Sequence, residues 1–323
     1  NFGADFAFIN SKLTGSFDYY LKTTTDILVN PPTLSVTGYG ASSWINGATM
    51  KNRGWEAVLT YADKVGEVGF SISANAYRNV NEFTYIVPEA VGAYPGNGND
   101  QIILGRPLNS FYGHVVEGIF QNQSEVDAAA VQPGKGIGRL QYKDVNNDGR
   151  IDADDRDWIG VNEPDITLGL NTRLEWKNFD LSMFWNSEIG REISSSTKMY
   201  SHFFGFFGGQ NYGTAVLDAW SPTNTTSTIP AITAADLNNE NRFSTYFVEN
   251  TSYAKLQSVV LGFDLPKKIC DLTFINSARM YFQGENLWII DLPGNTFTGF
   301  DPKSPNVNFP LPTSFTLGFN FTF

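Results

Sequence analysis

The sequence predicts an all-β fold, an antiparallel transmembrane β-barrel, and more narrowly the carboxyl-terminal part of a larger one. Three observations carry this. Nine segments alternate with period two, apolar side chains on one face and polar or small ones on the other. Short and long connections alternate strictly between those segments. The composition is 15% aromatic, with 26 Phe and 14 Tyr, and only 17% charged. That balance suits an apolar outer band edged by aromatic girdles.

The strands are expected, in order, at 2–10, 13–23, 54–63, 67–78, 165–176, 178–190, 252–265, 278–290 and 313–323. In 67–78, Val68, Phe70, Ile72, Ala74 and Ala76 oppose Gly69, Ser71, Ser73 and Asn75. In 165–176, Ile166, Leu168, Leu170, Leu174 and Trp176 oppose Thr167, Gly169, Asn171, Arg173 and Glu175. Segment 252–265 changes phase between Leu256 and Val259, which predicts a β-bulge near Gln257 and Ser258. The final segment places Phe315, Leu317, Phe319, Phe321 and Phe323 against Thr316, Gly318, Asn320 and Thr322. Its length matches the roughly 9 to 11 residues a tilted strand needs to cross a bilayer. Parts of 103–120 and 244–250 also read as strand.

Short links near Ser11, at 63–66, at Lys177 and at 266–277 alternate with long ones at 24–53, 79–164, 191–251 and 291–312. With Phe323 on the periplasmic side, every long loop becomes extracellular. Nine strands would leave an open edge in lipid, which is prohibitively costly. The expectation is therefore that further strands precede Asn1, residues 1–323 being a barrel segment without its plug and earlier strands.

Composition excludes other classes. No run of 18 apolar residues offers a transmembrane helix, and the mean hydropathy is -0.22. A net charge of -11 argues against nucleic-acid binding. The single Cys270 rules out a disulfide framework. The amino terminus is neither a signal peptide nor a start methionine, as in a processed chain or a piece of a longer one.

One motif carries specific chemistry. In YKDVNNDGRIDADD, Asp144, Asn146, Asp148, Asp152 and Asp155 occupy positions 1, 3, 5, 9 and 12 of an EF-hand-type loop. Gly149 stands at 6, Arg150 offers a backbone carbonyl at 7, and Ile151 is the apolar residue at 8. Ca2+ wants six or more oxygens, and the glycine permits the sharp turn around it. Asp instead of Glu at position 12 shortens the bidentate reach. A solvated Asp-Gly turn is the plain alternative, and a dockerin would want a second such loop. The expected role is a structural staple for the long loop 79–164.

Other candidates are weaker. His114 and His202 lie far apart with no Ser or Cys constellation beside them, and among the many carboxylates nothing at a recognisable spacing supports a glycosidase pair, so no enzyme is expected. The segment 199–213, with Tyr200, Phe203, Phe204, Phe206, Phe207 and Tyr212, either stacks on a sugar or partner or packs as an interfacial patch. The Asn-x-Ser/Thr matches at Asn122, Asn224, Asn250 and Asn320 carry little meaning in a bacterial envelope protein.

An ordered series of segments resembles a family. RFSTYFVENTSYAKLQSVVLGFDLPKK (242–268), SARMYFQGENLWII (277–290), GFDPKSP (299–305) and FPLPTSFTLGFNFTF (309–323) look like the closing segments of SusC/RagA-type TonB-dependent transporters of Bacteroidetes. Upstream, NGATMKNRGWEAVLTY (46–61), GRPLNSFYGHVVEGIFQ (105–121), YKDVNNDGRIDADDR (142–156) and DAWSPTNTTSTIP (218–230) are similar to it in the same order. Trp55, Thr313 and Ser314 depart from the family's usual choices. The resemblance implies a barrel of about 22 strands, plugged by an internal domain, in the bacterial outer membrane. It also implies import of oligosaccharide or peptide, a SusD-like surface lipoprotein as lid, and coupling to the TonB complex through an amino-terminal part that has no counterpart here. A secreted, calcium-stabilised β-sandwich that binds carbohydrate is the alternative of another class.

Overall fold

The computed structural model describes residues 1–31, 44–93, 103–202, 211–233, 238–270, 272, 274–305 and 309–323. In chain order its strands are β1 (Phe2–Phe8), β2 (Leu13–Val29), β3 (Ile45–Val65), β4 (Val68–Ile86), β5 (Ser110–His114), β6 (Val116–Ile119), β7 (Leu140–Tyr142), β8 (Arg156–Val161), β9 (Ile166–Trp176), β10 (Phe179–Ile189), β11 (Glu192–Ser194), β12 (Val248–Asn250), β13 (Tyr253–Asp264), β14 (Ser277–Asp291) and β15 (Ser314–Thr322). Nine of them form one sheet in the order β1-β2-β3-β4-β9-β10-β13-β14-β15. Every pairing in it is antiparallel.

These nine are the nine expected from alternation. Short and long connections therefore segregate to opposite ends of the sheet. At the short-turn end the chain reverses through Ile9, Asn10 and Ser11, through Gly66, and through Lys177, all with positive φ. Gly66 (φ 62°) takes this conformation without steric cost, and Lys177 (φ 53°) takes it with a Cβ present.

The boundaries differ at the other end. Strands β2, β3 and β4 run to 17, 21 and 19 residues, so 24–29, 45–53 and 79–86 are strand where long loop was expected. The connection between β4 and β9 begins at 87, not 79. Alternation of apolar with polar residues lapses in those stretches, which carry Lys51, Arg53 and Glu82, next above Arg78, on the side that is apolar further down. Backbone pairing continues regardless, because ladder bonds do not need an apolar face.

The bulge stands where the phase change placed it. Ser258 pairs with Phe184 and Leu256 with Trp185, so Gln257 is the extra residue opposite β10. Beyond it Leu256 returns to the face of Val259, Leu261 and Phe263. On β14 the register steps from Glu285 to Trp288 against Ser258 and Leu256, with Asn286 at φ 53°.

The burial pattern inverts that of a water-soluble sheet. Phe315, Leu317, Phe319 and Phe321 are 65%, 59%, 55% and 52% exposed, and no second layer covers their face among the described residues. The buried clusters lie instead at and beyond the long-loop end. One gathers Val29, Ala48, Phe83, Ile86, Ala90 and Ile103. The other gathers Leu140, Tyr142, Ile151, Tyr246 and Phe247. Small ribbons β5–β8, β6–β7 and β11–β12 frame the second, confirming strand within 103–120 and 244–250.

Candidate functional site

The sheet presents two chemically distinct faces, and cross-strand register shows each to be continuous. Along one rank Phe17, Ala57, Ala76, Leu168, Ser187, Ala254 and Ile290 stand side by side on seven strands. Near the short turns, ring pairs such as Tyr61 with Phe70 (5.7 Å) and Phe179 with Phe263 (4.7 Å) border this apolar face. Towards the long loops Phe17 stacks on Trp55 (6.4 Å), while Trp185 approaches Trp288 (6.2 Å) nearer mid-strand. Aromatic rings thus edge the apolar face towards both ends, as at the two interfaces of a bilayer.

The opposite face is polar and holds an interaction that alternation alone did not flag. Asp180 and Arg279 reach across β13 in a bidentate pair, Nη2 to Oδ2 at 2.9 Å. They cross over Gly262, the partner of Asp180 in the ladder. A Cβ there would lie 2.2 Å from Arg279 Nη2 and 2.4 Å from Asp180 Oδ1. The sequence signal was available as Asp, Gly and Arg at polar-face positions of three strands, but only pairing aligns them.

At the long-loop end Lys255, 1% exposed, donates to Asp301 Oδ2 at 2.7 Å. Asp301 Oδ1 also accepts from the Lys303 amide at 2.9 Å, so the GFDPKSP segment is pinned to β13. A buried pair of this kind is costly to break from one side, because the surviving charge stays desolvated.

The expected calcium loop is folded on its own backbone. Asp144 accepts from the amides of Asp148 (3.2 Å) and Gly149 (2.8 Å), and Asn146 accepts from that of Asp148 (2.9 Å). Asp148 accepts from the Arg150 amide (2.9 Å) and Asp152 from that of Asp154 (2.9 Å). Asp155, fully buried, accepts from Val145 (2.9 Å) and Asp152 (2.7 Å), closing the loop ends. Gly149 adopts φ 82°, the sharp turn asked of position 6. Among the described residues, no group of three or more His, Cys, Asp or Glu side chains is placed to hold a metal ion. The spacing of the motif is present and the convergence of its carboxylates is not.

His114 lies on β5, 9% exposed, with Nε2 donating to the Asp152 carbonyl at 2.9 Å. Burial holds its pKa below the usual histidine value, and Arg242 and Arg156 push the same way. It is a structural link between β5 and the acidic loop. Asn122 caps α1 (Gln123–Ala128), accepting from the Glu125 amide at 3.0 Å. Of the aromatic segment, Phe203, Phe204, Phe206 and Phe207 lie outside the described residues, as does the His202 side chain. Its flanks are joined by the Gly213 amide bonding to the Ser201 carbonyl at 2.7 Å.

An open antiparallel sheet with one exposed apolar face, one polar face and all long loops at one end is a stretch of β-barrel wall. No family model matches the chain. It is 28% identical over 347 residues to TonB-dependent receptor P3 of Formosa agariphila, covering 99% of this chain and 33% of the relative. It is 24% identical over 333 residues to TonB-dependent receptor SusC of Bacteroides thetaiotaomicron, covering 100% of this chain and 31% of the relative. The solved RagAB peptide transporter has the same fold, with a TM-score of 0.77 at 24% identity over 99% of this chain and 34% of that one. The chain is thus similar in sequence to TonB-dependent receptors, SusC among them, and in fold to the RagAB peptide transporter. It spans about one third of the length of the relatives it matches.

Proposed function

We propose that the chain forms nine consecutive strands of an outer-membrane barrel that imports oligosaccharide or peptide. The long loops are extracellular in this reading, and a SusD-like lipoprotein rests on them. The TonB complex acts through parts of the transporter outside this chain. The observation that carries the reading is the unbroken apolar face across all nine strands, exposed where a soluble sheet would be covered. A β-sandwich would lay a second sheet on that face, so the carbohydrate-binding alternative loses its support.

The membrane assignment is tested with paired substitutions in the full-length protein. Phe319→Arg should cost about 2 to 4 kcal/mol near the midplane, and Asn320→Arg on the polar face far less. Equal tolerance in an assembly assay would overturn it. For transport, uptake of labelled oligopeptides and oligosaccharides is compared in cells with and without the gene. Loss of one class on deletion, and again on dissipating the proton gradient, is expected. Unchanged uptake of both classes would sink the proposal.

We further propose that Asp144, Asn146, Asp148, the Arg150 carbonyl, Asp152 and Asp155 take up one Ca2+ that orders the long loop. The donor spacing and the positive φ of Gly149 support this, and binding requires the side-chain oxygens to converge on the ion. Chelation and Asp148→Ala should both raise protease sensitivity between 122 and 156. A loop equally resistant with and without chelator would refute it.

A further inference from the structure

On the apolar face the rank from Phe17 to Ile290 contains four small residues, Ala57, Ala76, Ser187 and Ala254. The rank below it carries the larger Leu59, Leu170 and Trp185 beside Gly15 and Ala74. The result is an open apolar trough of about 1020 Å³, floored by the alanines and walled by Phe17, Leu59, Leu170, Trp185 and Ile290. Ser187 adds no polarity, because its hydroxyl donates to the Tyr253 carbonyl at 2.7 Å.

The level of the trough is set by the chain. Ala57 and Ala76 each stand eight residues from the β3–β4 turn. At about 3.4 Å per residue and a tilt of roughly 40°, that places them about 20 Å above the turn, in the half of the band nearer the long loops. Directly above, on the same face, come Arg78, then Arg53, then Lys51, at successive ranks of β3 and β4. They begin about 26 Å above the turn, where a band roughly 25 Å tall ends. All three are exposed, and none makes an ion pair with a described residue. Glu82 stands across from Lys51 on that face, and Glu163, Asp165 and Glu192 line a hollow of which Arg78 also forms part.

We propose that this trough and its cationic rim bind one acyl lipid with a phosphate-bearing headgroup from the outer leaflet. Acyl chains lie on the alanine floor, and the phosphate meets Arg78 and Arg53 at the interface. An apolar floor alone accepts any lipid, and unpaired arginines at headgroup height select an anionic one. The inference rests on the barrel reading above.

The test uses the full-length transporter in nanodiscs of neutral phosphatidylcholine carrying a trace of bisphosphorylated lipid A. The lipid A retained after re-extraction is counted by native mass spectrometry, and the same lipid stripped of its phosphates serves as second probe. Wild type should retain the phosphorylated form preferentially. Arg53→Gln with Arg78→Gln should lower that retention by about fivefold per arginine, on the order of twenty-five-fold together, without changing the stripped form. Ala76→Trp should displace both forms by filling the floor. Equal retention of the two lipids by wild type, or an equal loss from Lys177→Gln at the opposite end of the sheet, would overturn the site and leave the barrel standing. A protein that stays soluble without detergent or lipid would overturn the barrel reading and the site with it.

Discussion

Gly262 lacks a side chain because two others cross above it. The Asp180–Arg279 pair occupies the space of its Cβ, and the atoms in the way are the far ends of flexible side chains. Gly262→Val should therefore be accepted by the backbone and part the pair, at a cost of about 1 to 3 kcal/mol. Arg279→Ala should cost about as much, and the double variant little more than either, because all three remove one interaction. Denaturant midpoints of the reconstituted barrel measure this, and additive losses would show the two effects to be independent. His114 makes a second prediction. Its folded pKa lies below the ordinary value of 6.5, so the undocked loop takes a proton that the docked loop refuses. Docking of β5 on the acidic loop is at full strength above about pH 6.5 and weakens as pH falls below it. Hydrogen exchange at 110–161 should accelerate on acidification, and His114→Gln should flatten that dependence. Faster exchange on raising the pH, beyond the intrinsic chemical rate, would contradict the sign.

Among the elements, β13 shows how much of the wall was legible and where legibility stopped. A phase slip between Leu256 and Val259 marks an inserted residue, because each side of it must still point its apolar set the same way. Deleting Gln257 removes the extra residue and leaves Leu256 and Ala254 on the apolar face and Lys255 towards Asp301, so the barrel should still assemble. Loss of the heat-modifiable band for that variant would show that the bulge itself is required. The upper parts of β2, β3 and β4 were invisible for the opposite reason. Their apolar and polar residues no longer alternate once the strand leaves the apolar band, although the hydrogen-bond ladder runs on. The Asp180–Arg279 and Lys255–Asp301 pairs were likewise unreadable, since each joins residues brought together only by pairing across strands. The acidic loop was legible as spacing. Which way its carboxylates turn was not, because the same Asp and Asn side chains satisfy backbone amides or a cation equally well.

The whole molecule divides its apolar residues between two solvents. The wall exposes them, while the clusters around Phe83 and Phe247 bury them as a water-soluble domain does. Such cores weaken with denaturant acting from water, whereas in the barrel proposed above the wall is held in lipid by its hydrogen-bonded ladder. Moderate urea on the lipid-embedded protein should thus melt the loop cores first, seen as lost protection near Tyr246 and Phe247 while the barrel still migrates as folded. Simultaneous loss of both would show one cooperative unit.

The long hairpin of β3 and β4 has a further consequence. Ten residues, Ile45 to Gly54, continue the β3 ladder above the rank of Trp55. At about 3.4 Å each and a tilt near 40° they form a mast rising on the order of 25 Å clear of the hydrocarbon. The cluster of Val29, Ala48, Phe83 and Ile86 braces its upper part like a stay. In the orientation proposed above, whatever alights on the rim would meet the protein first at that height, well away from the headgroups.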